Sequence, residues 1–335
     1  NDYYGNTLTM LSLIAVSGNW WDPEAGRSIT FAGRSWSVKS SSSPMGPGPN
    51  FFSDSTGNVA VDSSGALHLR ITHVGNAWRC AEVGLDPSLG YGRYVFRLAA
   101  PLGVLAQNVV LGLFTWDDAP AQAHREIDVE FARWGDSLDA TNAQFVVQPY
   151  DLPGNLMRWA APPSTDTLTV SFDWRPGRIT FLAVAGDRLF APYDSVLAAW
   201  EYTGASVPSP GDEHARINLW LDAGTPPSDA QEVEVVVLSF DLDPLPPPPG
   251  APELASPPDG GEVASPLVPF QWQPTARAEH YDLRVATDPA MTSVLSADSA
   301  LTDTAPGREE FGRLAVGAKS VVEEFAAALL ATTAC

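Results

Sequence analysis

Acidic residues alternate with aliphatic and aromatic ones along the segment Arg125–Phe131, which has the sequence REIDVEF. In a β-strand, successive side chains point to opposite faces, so Glu126, Asp128 and Glu130 would share one face. Like charges held in a row raise carboxyl pKa values, which suits a general acid that works near neutral pH. Glycoside hydrolysis uses two such carboxyl groups, one on each side of the scissile bond. The segment is therefore a candidate active site for sugar chemistry.

The spacing of Glu126 and Glu130 bears on the type of mechanism. Their Cα atoms would lie roughly 13 Å apart at about 3.3 Å per strand residue. Retention of configuration needs carboxyl groups about 5–5.5 Å apart, and inversion needs about 6.5–9.5 Å. Extended Glu side chains that lean towards each other can reach the shorter distance. Asp128 lies between them and is expected to hydrogen-bond one of them and hold its ionisation state.

Two other interpretations of the segment stay open on the pattern alone. Alternating charges are common on solvated strand faces, so a plain surface strand is an equal alternative. His124 lies two positions before Glu126 and on the same face, which admits a metal site. No second His or Cys accompanies them at ligand spacing, so we predict no metal.

Charge and composition restrict the partners of the chain. It has 335 residues, 44% of them hydrophobic, and its 19 basic and 40 acidic residues give a formal charge of −21. This charge argues against nucleic acids and anionic membrane surfaces and favours a neutral ligand such as a polysaccharide. The 11 Trp residues offer aromatic faces for stacking on sugar rings. We expect a monomer that needs no cofactor.

Short alternating stretches without helical period follow one another through most of the chain. Besides the acidic segment, the predicted strands are 67–71, 78–83, 91–98, 109–116, 143–147, 168–174, 179–184, 216–221 and 233–238. With further strands expected from Ile29 onward, more than ten strands over roughly 220 residues predict an all-β fold, a two-sheet sandwich or jelly roll with a cleft across one sheet. A Ser- and Pro-rich loop at residues 40–50 is expected to border that cleft.

The composition also predicts the domain boundaries. They are an uncertain N-terminal segment 1–24, a large β domain 25–243, a Pro-rich linker 244–250, a partial β-sandwich 251–306 and an unassigned tail of helical composition 307–335. Within the first segment, residues 8–18 have the length of a signal-peptide core but lack a basic region before it, so a processing remnant and a first strand are equal alternatives. We expect a secreted or extracellular protein because polymeric substrates lie outside cells and because the layout of the chain is modular. Cys80 is expected to be a buried free thiol.

With these features, the sequence resembles glycoside hydrolase family 16, and within it the lichenase type of β-1,3-1,4-glucanase. That subgroup carries Glu-x-Asp-x-Glu without an inserted residue, as residues 126–130 do. The resemblance spans residues 29–242, and its further motifs follow in family order: Cys80-Ala81-Glu82, Tyr91-Gly92-Arg93-Tyr94, Phe114-Thr115-Trp116, Gln144-Phe145, Phe172-Asp173-Trp174-Arg175-Pro176 and Asn218-Leu219-Trp220. Residues 251–306 resemble a truncated fibronectin type III module.

The resemblance implies a concanavalin A-like two-sheet jelly roll with a small C-terminal β-sandwich fragment. It also implies a retaining, endo-acting hydrolase of β-glycosidic bonds in a polysaccharide such as β-glucan. Glu126 would then be the nucleophile, Asp128 the assisting carboxylate and Glu130 the general acid/base. Substrate contacts are implied for Glu82, Gln144, Asn218 and Trp220, together with Trp116, which either stacks on a pyranose ring or lies in the core.

Departures from the lichenase pattern keep a second function open. Gly84 stands where lichenases have an Arg, and Val146 stands where they have an Asn, so two sugar contacts are missing. A non-catalytic, lectin-like carbohydrate-binding protein is therefore the alternative. Arg125, just before the first Glu, would depress a neighbouring carboxyl pKa if it turned into the cleft. A structural calcium is left unresolved, because Glu234 occupies the position of the family's calcium-binding Asp.

Overall fold

The computed structural model describes residues 26–99, 102–163, 165–187 and 195–245, and in the C-terminal part residues 254–256, 267–273, 280–286, 294–301, 312–315 and 326–332. Contacts divide the chain into two compact units, residues 1–245 and 246–335, so the division falls within the Pro-rich stretch 244–250. The N-terminal segment with its signal-like run lies outside the described residues. Among the described residues, no helix has the length and apolar character needed to cross a membrane.

The first unit is built almost entirely from β-strands. They are β1 Ser28–Phe31, β2 Arg34–Val38, β3 Phe51–Phe52, β4 Val59–Val61, β5 Leu67–Val74, β6 Ala77–Leu85, β7 Gly92–Ala99, β8 Val109–Trp116, β9 Ile127–Phe131, β10 Ala143–Val147, β11 Leu156–Trp159, β12 Thr167–Arg175, β13 Arg178–Ala185, β14 Val196–Tyr202, β15 His214–Leu221 and β16 Val233–Pro244. Short 3₁₀ turns occur at Leu102–Val104, Ala123–Arg125 and Asp222–Gly224.

These strands form two packed layers. One layer has the order β11-β10-β9-β8-β15-β6, and the other has the order β5-β16-β7-β12-β13-β14, with the β5–β6 hairpin joining them. The inner faces meet in one hydrophobic core, where the ring of Phe145 on β10 stacks on that of Phe181 on β13 at 5.0 Å between centroids. This two-sheet jelly-roll sandwich confirms the predicted all-β fold.

Alternation along β9 decides which residues enter the core. Ile127 and Val129 are 0% exposed and Phe131 is 1% exposed, and all three belong to the core cluster. Because strand side chains alternate in direction, the acidic residues between them point to the opposite face of the sheet. The period-two pattern of the sequence therefore positions the carboxylates directly.

The sequence analysis missed the short strands β3 and β4, the strands β11 and β14, and the end of β16. β11 has only four residues and β14 mixes exposed and buried positions without a clean period, so neither has a strong local signal. β16 runs on to Pro244, into the predicted linker, because its last residues pair with β7 as far as Gly92. Pairing with a neighbouring strand, rather than local composition, determines where β16 ends.

The described residues of the second unit form two three-stranded antiparallel sheets. Its strands are β17 Leu254–Ser256, β18 Leu267–Trp272, β19 His280–Ala286, β20 Val294–Leu301, β21 Gly312–Ala315 and β22 Ala326–Thr332, in the orders β17-β18-β21 and β20-β19-β22. Within the predicted tail 307–335, whose composition is helical, the described residues form strands. β21 pairs with β18 and β22 pairs with β19 along its whole length, so cross-strand pairing overrides the helical propensity of the Ala- and Leu-rich segment.

Candidate active site

A continuous row of cross-strand partners crosses the first layer at the level of Glu130. In order of neighbouring strands, the row is Arg158, Gln144, Glu130, Gly112, Asn218 and Glu82. Residues directly opposite one another on paired strands point to the same face of the sheet. Thus the general acid/base candidate and three of the expected sugar-contact residues lie on one face, although they come from distant parts of the sequence.

A second row runs parallel to the first at the level of Asp128. It contains Val146, Asp128, Phe114, Arg216 and Gly84. Arg216 lies directly opposite Gly84, so a guanidinium from the neighbouring strand enters the site at the level where the lichenase-type Arg is missing. The sequence analysis missed Arg216, although its position two residues before Asn218 predicts the same strand face.

Glu126 lies one residue before β9, in extended backbone that continues the alternation of the strand. The turn before it is left-handed, with φ values of 52°, 51°, 61° and 50° from Gln122 to Arg125. Such conformations cost roughly 1 kcal/mol or more per non-glycine residue and persist only where surrounding contacts hold them. Arg125 supplies one such contact, since its Nη1 lies 2.6 Å from Asp117 Oδ2. It therefore pairs with Asp117, and the expected effect of Arg125 on the acidic row stays a prediction.

The fold raises the pKa values of all three acidic side chains. Burial, followed by the charge of Glu130, raises the pKa of Glu126 to about 8. Burial and the charges of Glu126 and Glu130 raise the pKa of Asp128 well above its ordinary value. Burial raises the pKa of Glu130 to about 7, against the opposing effects of Gln144 and Arg158. The raised pKa values mean that the acidic row retains protons near neutral pH.

Amide side chains from β10 and the turn after it bind the acidic row. Gln144 Nε2 donates a hydrogen bond to Glu130 Oε2 at 2.6 Å, and Gln148 Nε2 donates one to Asp128 Oδ2 at 3.2 Å. Gln144 was predicted as a site residue, whereas Gln148 was not. Gln148 lies two residues after Val146, on the same face, and this spacing is the signal that could have identified it.

Glu82 occupies its predicted place in the row, but its carboxylate is enclosed. It is 1% exposed, with Oε2 2.9 Å from Lys39 Nζ and Oε1 3.7 Å from Arg216 Nη1. The side chain is therefore part of a buried ion-pair network at one end of the row. The predicted contact between Glu82 and sugar stays a prediction, and Lys39 is a further cation that the sequence analysis missed.

Asn218 and Gly112 meet closely in the middle of the row. Asn218 Oδ1 accepts a hydrogen bond from the backbone N–H of Gly112 at 3.1 Å. A Cβ atom on residue 112 would lie 2.5 Å from Asn218 Oδ1. The absence of a side chain at position 112 thus allows Asn218 to lie over the strand next to Glu130.

Tryptophan side chains lie at both ends of the site. Trp116 is half-buried, stacks on His124 at 4.1 Å between ring centroids and donates its indole N–H to Asp118 at 3.1 Å. It lies outside the hydrophobic core, so the core alternative for this residue is wrong. Trp220 is 9% exposed and lies 5.9 Å from the ring of Trp134, which is 36% exposed. Trp134 follows β9 in a turn and has no periodic signal, so sequence patterns could not identify it.

The described residues contain no group of three or more His, Cys, Asp or Glu side chains placed to hold a metal ion. His124, the residue behind the metal interpretation, makes a 2.8 Å hydrogen bond from Nδ1 to the carbonyl oxygen of Asp117. Glu234, at the calcium position of the resemblance, has Oε1 2.6 Å from Arg70 Nη2 and 2.7 Å from His68 Nδ1. Cys80 is a buried free thiol, as predicted.

No protein-family model and no curated protein matches the chain. Its structural neighbours include β-glucanases. One is a β-glucanase of Bacillus licheniformis, with 20% identity over 66% of this chain and 100% of that chain and a TM-score of 0.47. Another is a prokaryotic β-1,3-1,4-glucanase (lichenase) from a mouse hindgut metagenome, with 19% identity, 63% and 93% coverage and a TM-score of 0.45. A third is described as an immunostimulatory antigen and pseudo β-1,3-glucanase of Mycobacterium tuberculosis, with 20% identity, 63% and 91% coverage and a TM-score of 0.48. At these values the activity has to be argued from the site itself.

Proposed function

We propose that this chain is a retaining glycoside hydrolase that cleaves internal β-glycosidic bonds of a polysaccharide such as β-glucan. The observation that carries the proposal is the row of Glu126, Asp128 and Glu130, whose pKa values all rise on one face of one sheet. A carboxylic acid that keeps its proton near neutral pH is what protonation of a glycosidic oxygen requires.

The electrostatics of the row support distinct roles for its members. A hydrogen bond between Asp128 and Glu126 lowers the pKa of Glu126 and raises that of Asp128, so the shared proton belongs on Asp128. The positive charge of Arg216 also favours the ionised form of Glu126. Glu126 is then the anion that attacks the anomeric carbon, and the bond to the leaving oxygen breaks as Glu130 protonates it. Water deprotonated by Glu130 finally hydrolyses the glycosyl ester.

The test is release of reducing sugar from lichenan, laminarin, xyloglucan, agarose and carrageenan. We expect the wild type to cleave one of these polymers, Glu126→Gln to abolish cleavage, and Glu130→Gln to reduce kcat/KM by roughly 10²–10⁴-fold. The matched control is Glu201→Gln, because Glu201 is an exposed residue of β14 in the other sheet. Circular dichroism checks that each variant is folded. Unchanged hydrolysis by a folded Glu126→Gln protein would sink the assignment.

A carbohydrate-binding protein without turnover is the second candidate, and one observation favours it. A pKa of about 8 keeps much of Glu126 protonated at neutral pH, and a protonated carboxyl group is a poor nucleophile. This candidate predicts that the folded wild type binds one polymer of the panel but releases no reducing sugar. Glu126→Gln would then leave binding intact.

A further inference from the structure

Gln144 connects Glu130 to two other side chains through its carboxamide group. Its Nε2 lies 2.6 Å from Glu130 Oε2, while its Oε1 lies 3.1 Å from Arg158 Nη1 and 3.2 Å from Trp134 Nε1. The amide therefore makes hydrogen bonds at both ends, and β10 holds it directly between Glu130 on β9 and Arg158 on β11.

The chemistry of these partners leaves one orientation for the amide. A guanidinium and an indole N–H can donate hydrogen bonds but cannot accept them. The carboxamide oxygen must therefore face Arg158 and Trp134, and the amino group must face Glu130. Rotating the amide by half a turn would set donor against donor at Arg158 and Trp134, so these two residues determine what Gln144 presents to Glu130.

Arg158 is itself held in place by the turn between β9 and β10. Its Nη2 lies 2.7 Å from Asp139 Oδ2 and 3.1 Å from the carbonyl oxygen of Ala132, and its Nε lies 2.9 Å from Thr141 Oγ1. These bonds fix the plane of the guanidinium, so its Nη1 is presented to Gln144 in a defined direction.

We propose that Arg158 is a positioning residue that acts through Gln144 to keep the proton of Glu130 on Oε1. Oε2 accepts the amide N–H of Gln144, so a proton placed on Oε2 would face that N–H directly. Among the residues that the structure describes, no side chain donates a hydrogen bond to Oε1. The proton that the general acid delivers is therefore reserved for the oxygen that is free to meet a substrate. The role of Glu130 as acid rests on the proposed function, whereas the position of its proton does not.

The charged groups around Glu130 allow the proposal to be measured. Glu126 and Asp128 face it from its own chain segment, Arg158 faces it from β11 with Asp139 behind, and the facing position on β8 is Gly112. The charge of Arg158 and the hydrogen bond from Gln144 both lower the pKa of Glu130. Loss of Arg158 removes the charge and leaves Trp134 alone to orient the amide of Gln144. The hydrogen bond from Gln144 to Glu130 is then less firmly held, which favours the protonated form of Glu130.

The experiment is a ¹³C-NMR titration of the full chain labelled at the glutamate carboxyl carbons, with Glu130→Gln assigning the signal. Arg158→Met should raise the pKa of Glu130 by about one pH unit. The matched control is Arg93→Met, since Arg93 pairs with Asp173 at 3.1 Å on the other sheet and should leave the signal unmoved.

The relay is the pair of hydrogen bonds that joins Arg158 to Gln144 and Gln144 to Glu130. A double-mutant cycle separates its effect from that of the charge of Arg158. In a Gln144→Met background the relay is already broken, so Arg158→Met should shift the Glu130 signal by less than half as much as in the wild type. An equal shift in both backgrounds would overturn the proposal, because only the charge would then act. If Arg158→Met does not fold, Arg158→Lys completes the cycle, since a single ammonium cannot serve both Asp139 and Gln144.

The titration needs no turnover, so the two proposals can fail separately. Coupling between Arg158 and Gln144 in a protein that cleaves no polymer would retain the relay and remove the hydrolase assignment. Polymer cleavage without coupling between Arg158 and Gln144 would retain the hydrolase assignment and remove the relay. If the protein cleaves a polymer, Arg158→Met should also shift the basic limb of the pH profile of kcat/KM to higher pH by about one unit.

Discussion

At the level of single residues, ionisation of the buried carboxyl groups of Glu126, Asp128 and Glu130 costs free energy. Each has its pKa raised chiefly by burial, which disfavours the charged form. A strand that served only as a solvated face would leave such groups at their ordinary pKa values. The shifts therefore favour a functional site over the surface-strand alternative.

The raised pKa values predict how stability depends on pH. A Glu carboxyl group has a pKa of 4.5 in an unfolded chain. In the folded protein the pKa is about 8 for Glu126 and about 7 for Glu130. Between these pH values the folded state binds more protons than the unfolded state, so the free energy of unfolding falls as pH rises. As the pH is raised from 4.5 to 8.5, the free energy of unfolding of Glu130→Gln should increase by about 1–3 kcal/mol relative to that of the wild type, measured by urea unfolding. A stability difference that stays constant across this range, as expected for Glu201→Gln, would contradict the shift.

The buried pair of Lys39 and Glu82 gives a second residue-level prediction. Their side chains are 4% and 1% exposed, so removal of Lys39 leaves the buried carboxylate of Glu82 with the more distant guanidinium of Arg216, at 3.7 Å. Lys39→Met should lower the free energy of unfolding by about 3 kcal/mol or more. The control is Arg178→Met, whose pair with Glu201 spans 3.9 Å between side chains that are 37% and 58% exposed, and which should change stability by less than about 1 kcal/mol. If chemical unfolding showed the same loss of free energy for both variants, the buried pair would contribute no more to stability than the exposed pair.

At the level of elements, the close approach of β8 and β15 shapes the middle of the site. Gly112 opposes both Glu130 and Asn218 in the register, so any side chain at position 112 would enter the space between them. The left-handed turn before β9 acts at the other end, where it places His124 against Trp116. Both features concern backbone conformation and packing rather than the acidic residues themselves.

Gly112→Ala tests this packing. Its Cβ would lie 2.5 Å from Asn218 Oδ1, and Asn218 is only 3% exposed, so Asn218 must move and lose its hydrogen bond to the backbone. We expect a loss of about 1–3 kcal/mol in unfolding free energy together with weaker activity or sugar binding. Gly57→Ala, whose nearest neighbour would be Ser55 Oγ at 3.5 Å, is the control. Equal stability of the two variants would mean that the strands adjust without cost.

At the level of the whole molecule, the core and the candidate site belong to the first unit. The core cluster runs from Phe31 to Phe240, and every residue of the two cross-strand rows lies within the same limits. A unit with its own core is expected to fold alone. We therefore predict that the first unit keeps the site when the second unit is removed.

A fragment of residues 26–245 tests this independence. Its Tm should lie within about 2 °C of that of the corresponding transition in the full chain, the shift expected for less than 1 kcal/mol. The fragment should also retain whatever polymer cleavage or binding the full chain has. An aggregated fragment, or one with a much lower Tm in calorimetry, would show that the second unit supports the first.

Local alternation was sufficient to predict the all-β fold, most strands of the first unit and the common face of Glu126, Asp128 and Glu130. This works because burial of one strand face imposes a period of two on the sequence itself, without reference to other strands. The same logic fails where a strand is short or its pattern is mixed, as in β11 and β14. It fails again in the Ala-rich β22, whose local propensity is helical but whose backbone hydrogen bonds are made by β19.

Only the tertiary structure decided which side chains meet across the strands. Arg158 faces Gln144 and Arg216 faces Gly84 through registers that join distant segments, and no local pattern contains that information. The same holds for the ionisation of the acidic row, because a pKa depends on burial and on neighbouring charges in space. Residue types therefore identified the candidate chemistry, whereas strand pairing decided the protonation and hydrogen bonding of the groups that would perform it.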